Sequence, residues 1–596
     1  MSSIVGLTIF CNLSPEQKSS ALAAQERALT QFKHLERTNL SIGESTLELW
    51  GHGNVSDRLQ HLADGSVMAL IGSPVGEISW QKIQAAIIKN DEADHFEPPW
   101  DGRFILIRIS AEGKRWTLWN DWLGSIPLFH TRIGNGRIAS TIEPVPVASA
   151  GYTHEDFFMP GLVSLLINGH FFSDWSLYKD MKTIAPDCKA DWEAGDFRFK
   201  RLWTVKPSQD RWESGWNDLV DEMHELTQRA IRAALSQHRR WTLPLSSGLD
   251  SRLIAAVGAD AGVDMQAYAW GEPHSTDVVN SHRIAQILGY SWKHIGHPKD
   301  FLQIYTKRWA DWFGTGISFH GMYQMFFLDA IKTETDSPIA SGFLGEVLAG
   351  DAIPDTMAYH SGPISYQIED DGYSHWNYND LKSAMRIPIE DALKANGEEI
   401  RRQIDLVDGA RFQKLMFLEL WARQRFFTCF QAILSDYWFG VTTPYLNRAY
   451  ARFSLSLPRA VFDQRRLMAD VFRRYYGRLA VIPGTYDYDP FILTGRYLIN
   501  RRLARLLPPP LHVGPLKGFG RVPLRMDTAS LQATGKVALW PLFEAQNLLA
   551  DWVDVNLLER DFQTLMKSGE DLHPLRRLQA FQPLAWRLLA HKNAHV

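Results

Sequence analysis

Cysteine is nearly absent. The 596 residues hold three, Cys11, Cys188 and Cys429, far apart and without a C-x-x-C pair. That spacing excludes a disulfide framework and a cysteine-built zinc site, and it fits a reducing, cytoplasmic setting. No stretch approaches the roughly 18 apolar residues of a membrane helix. The opening Met1-Ser2-Ser3-Ile4-Val5-Gly6 lacks the basic-then-apolar order of a signal peptide. An excess of one charge is missing too: 63 Lys+Arg stand against 67 Asp+Glu, so a basic footprint for nucleic acid is excluded. No internal repeat or low-complexity segment interrupts the chain. What is there is an ordinary globular composition, 45% hydrophobic and 22% charged. The chain is too long for one core, so two to four domains are expected. Its 22 tryptophans point to a large, aromatic-rich interior.

Residues 1 to about 205 read as strand-rich, with short β-type runs at 4–10, 67–72, 104–109 and 116–119 and a helix over 80–90. A linker over 203–217 carries Pro207, Ser208 and Gly215. Leu219, Met223, Leu226, Ala230, Ile231 and Leu235 then fall on one stripe of an amphipathic helix ending near Arg240. Strands at 265–270, 291–295 and 338–341 alternate with helices such as 276–288. That alternation predicts a parallel sheet with ligand at the strands' carboxyl ends. Beyond residue 350 the pattern turns helical, with a long aromatic helix over 412–434 and another over 447–457.

The centre of this arrangement is residues 241–256. An apolar run ends in Leu245; Ser246-Ser247-Gly248 turns; and a helix follows, with Asp250 or Ser251 able to cap it. Free backbone N–H groups, hydroxyls and the positive end of a helix dipole make such a turn a cradle for phosphate. The same pattern also describes any N-capped helix after a buried strand.

Residues 246–251 resemble the S-G-G-x-D-S pyrophosphate loop of the asparagine-synthetase-like, AMP-forming ATP pyrophosphatases, with Ser247 in place of the first family glycine. The resemblance extends upstream. Asp101-Gly102-Arg103-Phe104, Asn120-Asp121-Trp122-Leu123-Gly124-Ser125-Ile126-Pro127-Leu128-Phe129 and Ile138-Ala139-Ser140-Thr141-Ile142-Glu143 follow the order and spacing of the family's glutaminase-type, N-terminal-nucleophile domain. Thr443-Pro444-Tyr445-Leu446-Asn447 resembles its T-P-F-L-D turn. The resemblance implies an α/β protein in two parts. A glutaminase-like (Ntn-type) sandwich domain would span 1–205, and a parallel-sheet ATP-pyrophosphatase (PP-loop) synthetase domain with a helical lobe would span 206–596.

One departure is chemical. Glutamine-hydrolysing members carry a cysteine directly after the initiator methionine; here Ser2 stands there. A hydroxyl is a weak nucleophile without a strong base, and Cys11 lies inside the first strand where it cannot present an α-amino group. The implied first domain is therefore a scaffold, as in the β-lactam synthetases and lasso-peptide macrolactam cyclases of this family, and the amine comes from a source other than glutamine.

By the resemblance, the ligands are ATP and Mg²⁺. Leu245, Ser246, Ser247, Gly248, Asp250 and Ser251 hold the pyrophosphate portion, Ala269 and Trp270 meet the adenine, and Gly342 and Gly345 line the opposite loop. Asp250 and Glu346 bind the metal, with Asp351 as the other acid for that place. Lys517, in a loop resembling R-P-K-x-G-F-x-x-P-L, joins Glu346 as a catalytic residue and steadies developing charge. Asp277 belongs to the family's G-x-x-x-S-x-D turn or caps the helix after it. His274, His294, His297 and His320 are candidate bases by residue type only. The implied reaction is adenylation of a carboxylate and its capture by an amine. Expected partners are a small-molecule or peptide carboxylate, an amine and a precursor-processing protease, with no nucleic acid and no membrane. An ammonia-using asparagine synthetase and a non-catalytic scaffold relative are the alternatives.

Overall fold

The computed structural model describes residues 2–93, 97–193, 196–273, 275–317, 319–350, 376–462, 465–482, 484, 526–568 and 572–594. The fold is mixed α/β, with two separate sheets. Twelve strands between Ser3 and Arg201 form the first. It is a single curled sheet whose two arms enclose a shared apolar core. Its arms join where Ser3–Cys11 and Val67–Val75 pair in parallel through Ile4 and Ile71; among the described residues every other pairing of this sheet is antiparallel. Strict alternation fixes its faces. Ile105, Ile107 and Ile109 point into the space between the arms, whereas Phe104 and Leu106 point outward beneath Ile83 and Ile87 of the helix Trp80–Ala93. Two helices missing from the sequence-based expectation cover the opposite side, Pro15–Leu29 and Met159–Asn168. The first had a legible signal: Ser14 and Gln17 form a reciprocal capping box, with Pro15 at the first helical position.

The second sheet has five strands, all parallel, in the order Ser291–Ile295, Asp264–Trp270, Arg240–Pro244, Ile339–Ala340, Val441–Thr442. Numbered along the chain that order is 3-2-1-4-5. The direction of winding reverses between the first strand and the fourth, the place in an open parallel sheet where ligands gather. Helix Trp216–Leu235 buries the whole predicted stripe from Leu219 to Leu235, but it stops at Leu235 because Arg240 already belongs to the strand.

The helical lobe differs from expectation in detail. The long helix is α-helical over Arg411–Glu419, π-helical over Leu420–Thr428 and α-helical again over Phe430–Phe439. From the wide turn Arg425 donates to the carbonyls of Gly124, Ser173 and Ile184. An apolar period of 3.6 does not distinguish such a turn from its neighbours. Residues 447–457 contain a shorter helix, Arg448–Ser454, capped by Asn447.

The residues around the two sheets share one core. Phe32 packs against Trp312, Tyr437 and Trp438 with ring centroids 4.7, 5.1 and 4.7 Å away. Arg103 and Asp436 form an ion pair of 3.0 Å with both side chains 2% exposed. The Trp122 indole donates to the carbonyl of Leu446, and Asp101 accepts from Asn447 and Arg448. Among the described residues no helix is long and apolar enough to cross a membrane.

Candidate active site

The strand Arg240–Pro244 delivers Leu245 into the core, and the chain turns through Ser246, Ser247 and Gly248 into helix Leu249–Asp260. Gly248, extended at φ −65° and ψ 168°, is the N-cap, and it offers no side chain to the first-turn N–H groups. Asp250 and Ser251 therefore do not cap. They lie inside the first turn, because the extended conformation a cap needs is already taken two residues earlier.

The hydroxyls of the turn serve one another. Ser246 Oγ accepts the Gly248 N–H at 3.0 Å and lies 3.1 Å from Ser251 Oγ, which accepts the Ser246 N–H. Ser247 turns its side chain away. Its N–H and hydroxyl both donate to Asp277 Oδ1, at 3.0 and 2.6 Å. Asp277 is thus not the cap of helix Thr276–Leu288; Ser275 is, accepting from the Val278 N–H. Behind the turn the buried Arg252 donates to the carbonyls of Ser247, Leu479 and Ile482.

The facing loop follows Ile339–Ala340. Gly342, Phe343 and Leu344 lead into a short helical turn, Gly345–Leu348, with Leu344 in the left-handed region at φ 71°. Glycine is required here for closeness. A Cβ on Gly345 would stand 2.7 Å from Cβ and Cγ of Asp250, and one on Gly342 3.3 Å from Asp250 Cβ. The two loops therefore lie against each other at Asp250, and Glu346 joins the cluster from the second loop.

Asp250 is the strained member electrostatically. Its Oδ1 is sealed from solvent and accepts no hydrogen bond among the described residues. Burial pushes the carboxyl up to about 7; Arg465 opposes that rise and Glu346 adds to it. Arg465, buried and itself left-handed at φ 53°, holds Glu346 in a 3.0 Å ion pair. From the helical lobe the Tyr445 hydroxyl donates to the backbone carbonyl of Asp250 at 2.8 Å. Two carboxylates from facing loops suit a hard cation that completes its shell with water and phosphate oxygens. Among the described residues no group of three potential metal ligands occurs.

Sequence reasoning missed Arg465, Tyr445 and Arg252. Only Tyr445 had a signal, its place in the T-P-Y-L-N turn.

Farther along the strand ends, Ala269 is buried and Trp270 stacks on Phe327 at 4.3 Å. His294 Nε2 is 2.7 Å from the carbonyl of Gly271, and His297 lies 3.7 Å from Glu272, with burial holding its imidazole below the usual range. Both histidines brace the turn after the second strand. Lys517, Asp351 and His274 lie outside the described residues, as does the side chain of His320.

At the other end of the chain Ser2 Oγ donates to Asp57 at 2.7 Å. Cys11 is buried, and that burial pushes its thiol up, away from reactivity. Asp121 is structural: its carboxylate accepts from the N–H groups of Phe104, Leu123 and Ser125 and from the Ser125 hydroxyl.

No family model and no curated protein sequence matches the chain. Among solved structures it is similar to the glutamine phosphoribosylpyrophosphate (PRPP) amidotransferase from B. subtilis complexed with ADP and GMP. The identity is 9% over 48% of this chain and 90% of that one, with a TM-score of 0.24. It is also similar to a structure described as the allosteric regulatory enzyme of purine biosynthesis, at 11% identity over 49% of this chain and 82% of that one, with a TM-score of 0.23. Likeness at that level does not bear on what the chain does.

Proposed function

We propose that the chain is an ATP-dependent, AMP-forming carbon–nitrogen ligase. A carboxylate oxygen attacks the α-phosphorus of ATP, the bond to the β-phosphate breaks, and an amine then displaces AMP from the acyl group to give an amide. The observation that carries the reading is Asp250: a carboxylate with an orphaned, sealed oxygen, at the winding reversal of a 3-2-1-4-5 parallel sheet, facing Glu346. Asp250 and Glu346 would hold Mg²⁺, whose charge would neutralise the departing pyrophosphate. The uncapped first turn of helix Leu249–Asp260 would receive phosphate oxygens, with Ser246 and Ser251 exchanging their mutual hydrogen bond for the ligand. Arg465 would transfer part of its interaction from Glu346 to the phosphates. The stacked Trp270 and the neighbouring backbone of Ala269 offer a flat wall for the base. With Ser2 in place of a cysteine, the amine is ammonia or is carried by the substrate. A biosynthetic amide or macrolactam is the product class that the sequence resemblance favours.

ATP–pyrophosphate exchange across candidate carboxylates, aspartate included, tests this. The wild type should exchange label with its own carboxylate, and Asp250→Ala should abolish exchange. Exchange that persists in Asp250→Ala removes the metal assignment. One observation favours a second reading, a non-catalytic relative: the N–H groups of Ser246, Ser247 and Gly248 are all satisfied within the protein. Absence of ATP binding to the wild type would decide for that alternative.

A further inference from the structure

We propose that the cleft beside the linker, between helices Trp216–Leu235 and Arg448–Ser454, binds a small organic dianion built on a planar ring. The inference does not depend on the ligase reading. The cleft holds about 530 Å³, and residues 245–251 and 342–346 are not in its lining. That volume is within the roughly 300–1,000 Å³ of small-molecule sites.

Its charge is lopsided. Lys206, Arg211, Arg229 and Arg452 line it against two carboxylates, Asp210 and Glu222. Glu222 is already consumed by the Arg211 fork, whose Nε stands 3.1 and 3.0 Å from its two oxygens. Arg452 is committed to the carbonyl of Thr204 and to Glu97, each at 2.8 Å. Lys206 and Arg229 make no ion pair among the described residues. They approach from different elements, the linker and the longer helix. Asp210 accepts from the Ser208 hydroxyl at 2.9 Å. Two cations without an ion pair, carried on different elements of the lining, suit an anion with several acceptor oxygens better than a single carboxylate.

The planar component follows from Trp203. This residue lines the cleft with its backbone left-handed at φ 55°, an outlier for a bulky side chain. Both neighbours are pinned to one residue. The Leu202 N–H donates to the Asp187 carbonyl at 2.6 Å, and the Thr204 N–H and hydroxyl each donate to the Asp187 carboxylate at 2.7 Å. The clamp holds the indole at the cleft wall, backed by Trp421 and Arg201, each 5.6 Å from it. A ring beside Trp203 and a dianion between Lys206 and Arg229 would use the cleft's aromatic wall and its two cations that lack an ion pair.

A phosphate monoester and a dicarboxylate share this chemistry, so calorimetric titration of the full chain in Mg²⁺-free buffer uses phenyl phosphate, phthalate and inorganic phosphate. At least one ring-bearing anion should bind the wild type, and its identity names the source. The double variant Lys206→Glu/Arg229→Glu should weaken it about tenfold or more. Trp203→Leu should weaken the ring-bearing anion but not inorganic phosphate, and Asp250→Asn should change neither. The substituted lysine and arginine are exposed, so the double variant folds, and melting curves check that. Absence of binding by both ring-bearing anions, equal affinity in the double variant, or loss in Asp250→Asn would each overturn the proposal.

Discussion

Ser247 gives both of its hydrogen-bond donors, backbone and hydroxyl, to a single oxygen of Asp277. The residue that departs from the glycine of the resembling loop is thereby a tie between the first strand's turn and the helix after the second strand. A glycine there could supply only the backbone half of it.

Replacing Asp277 with alanine should free that turn while leaving the fold intact. The expected cost is about 1–3 kcal/mol in urea denaturation, with weaker ATP binding by titration. Asp277→Asn keeps an acceptor oxygen and should recover most of both. Equal stability of the alanine variant and the wild type would mean the tie is not holding the turn.

Arg465 supplies the positive charge that Glu346 pairs with and that Asp250 feels. In EDTA, Arg465→Ala leaves Glu346 and Asp250 facing each other without their cation and should lower the melting temperature by a few degrees. Mg²⁺ should then stabilise the variant more than the wild type. Identical melting in EDTA and in Mg²⁺ for both proteins would count against metal binding at this pair.

Much of this site was visible in the order of residues, and what was not has physical causes. Strands at 240–244, 264–270 and 291–295 announce themselves through length and flanking turns. Val441–Thr442 has two residues, too few for any periodicity, so the sheet's fifth member was invisible. Arg465 is one of two adjacent arginines and owes its place to a left-handed kink that no local pattern marks. Asp277 was ambiguous because a carboxylate in a first helical turn serves the helix or a distant loop equally well by composition. The geometry chose the loop. That the two arms of the first sheet join across the Ile4–Ile71 junction was not legible, because strand pairing there is a tertiary matter.

The buried pair Arg103–Asp436 links the first sheet to the helical lobe. Arg103→Met should cost about 3–5 kcal/mol by leaving the Asp436 carboxylate buried without its cation. Adding Asp436→Leu should restore much of that loss. A double-mutant cycle with no coupling would show that the two side chains act independently.

Acid should loosen the same seam. His52, whose Nε2 lies 2.6 Å from the carbonyl of Asp436, is held down to about 4 by burial, against an ordinary 6.5. The unfolded chain therefore takes up a proton first as pH falls. The contribution of neutral His52 is complete above pH 6.5 and is lost between 6.5 and 4, on the order of 3 kcal/mol. His52→Gln should flatten the fall of denaturation free energy across that window. An unchanged slope would assign the acid sensitivity to other groups.

The ring of Phe32 among Trp312, Tyr437 and Trp438 carries an implication for how this chain can be cut. A fragment beginning near the linker would unveil three greasy aromatic faces and one orphaned aspartate at the very place where its short final strand needs bracing. Such a fragment would clump before it could be assayed. The front portion thus serves as a foundation, indispensable for solubility whether or not it ever meets a substrate.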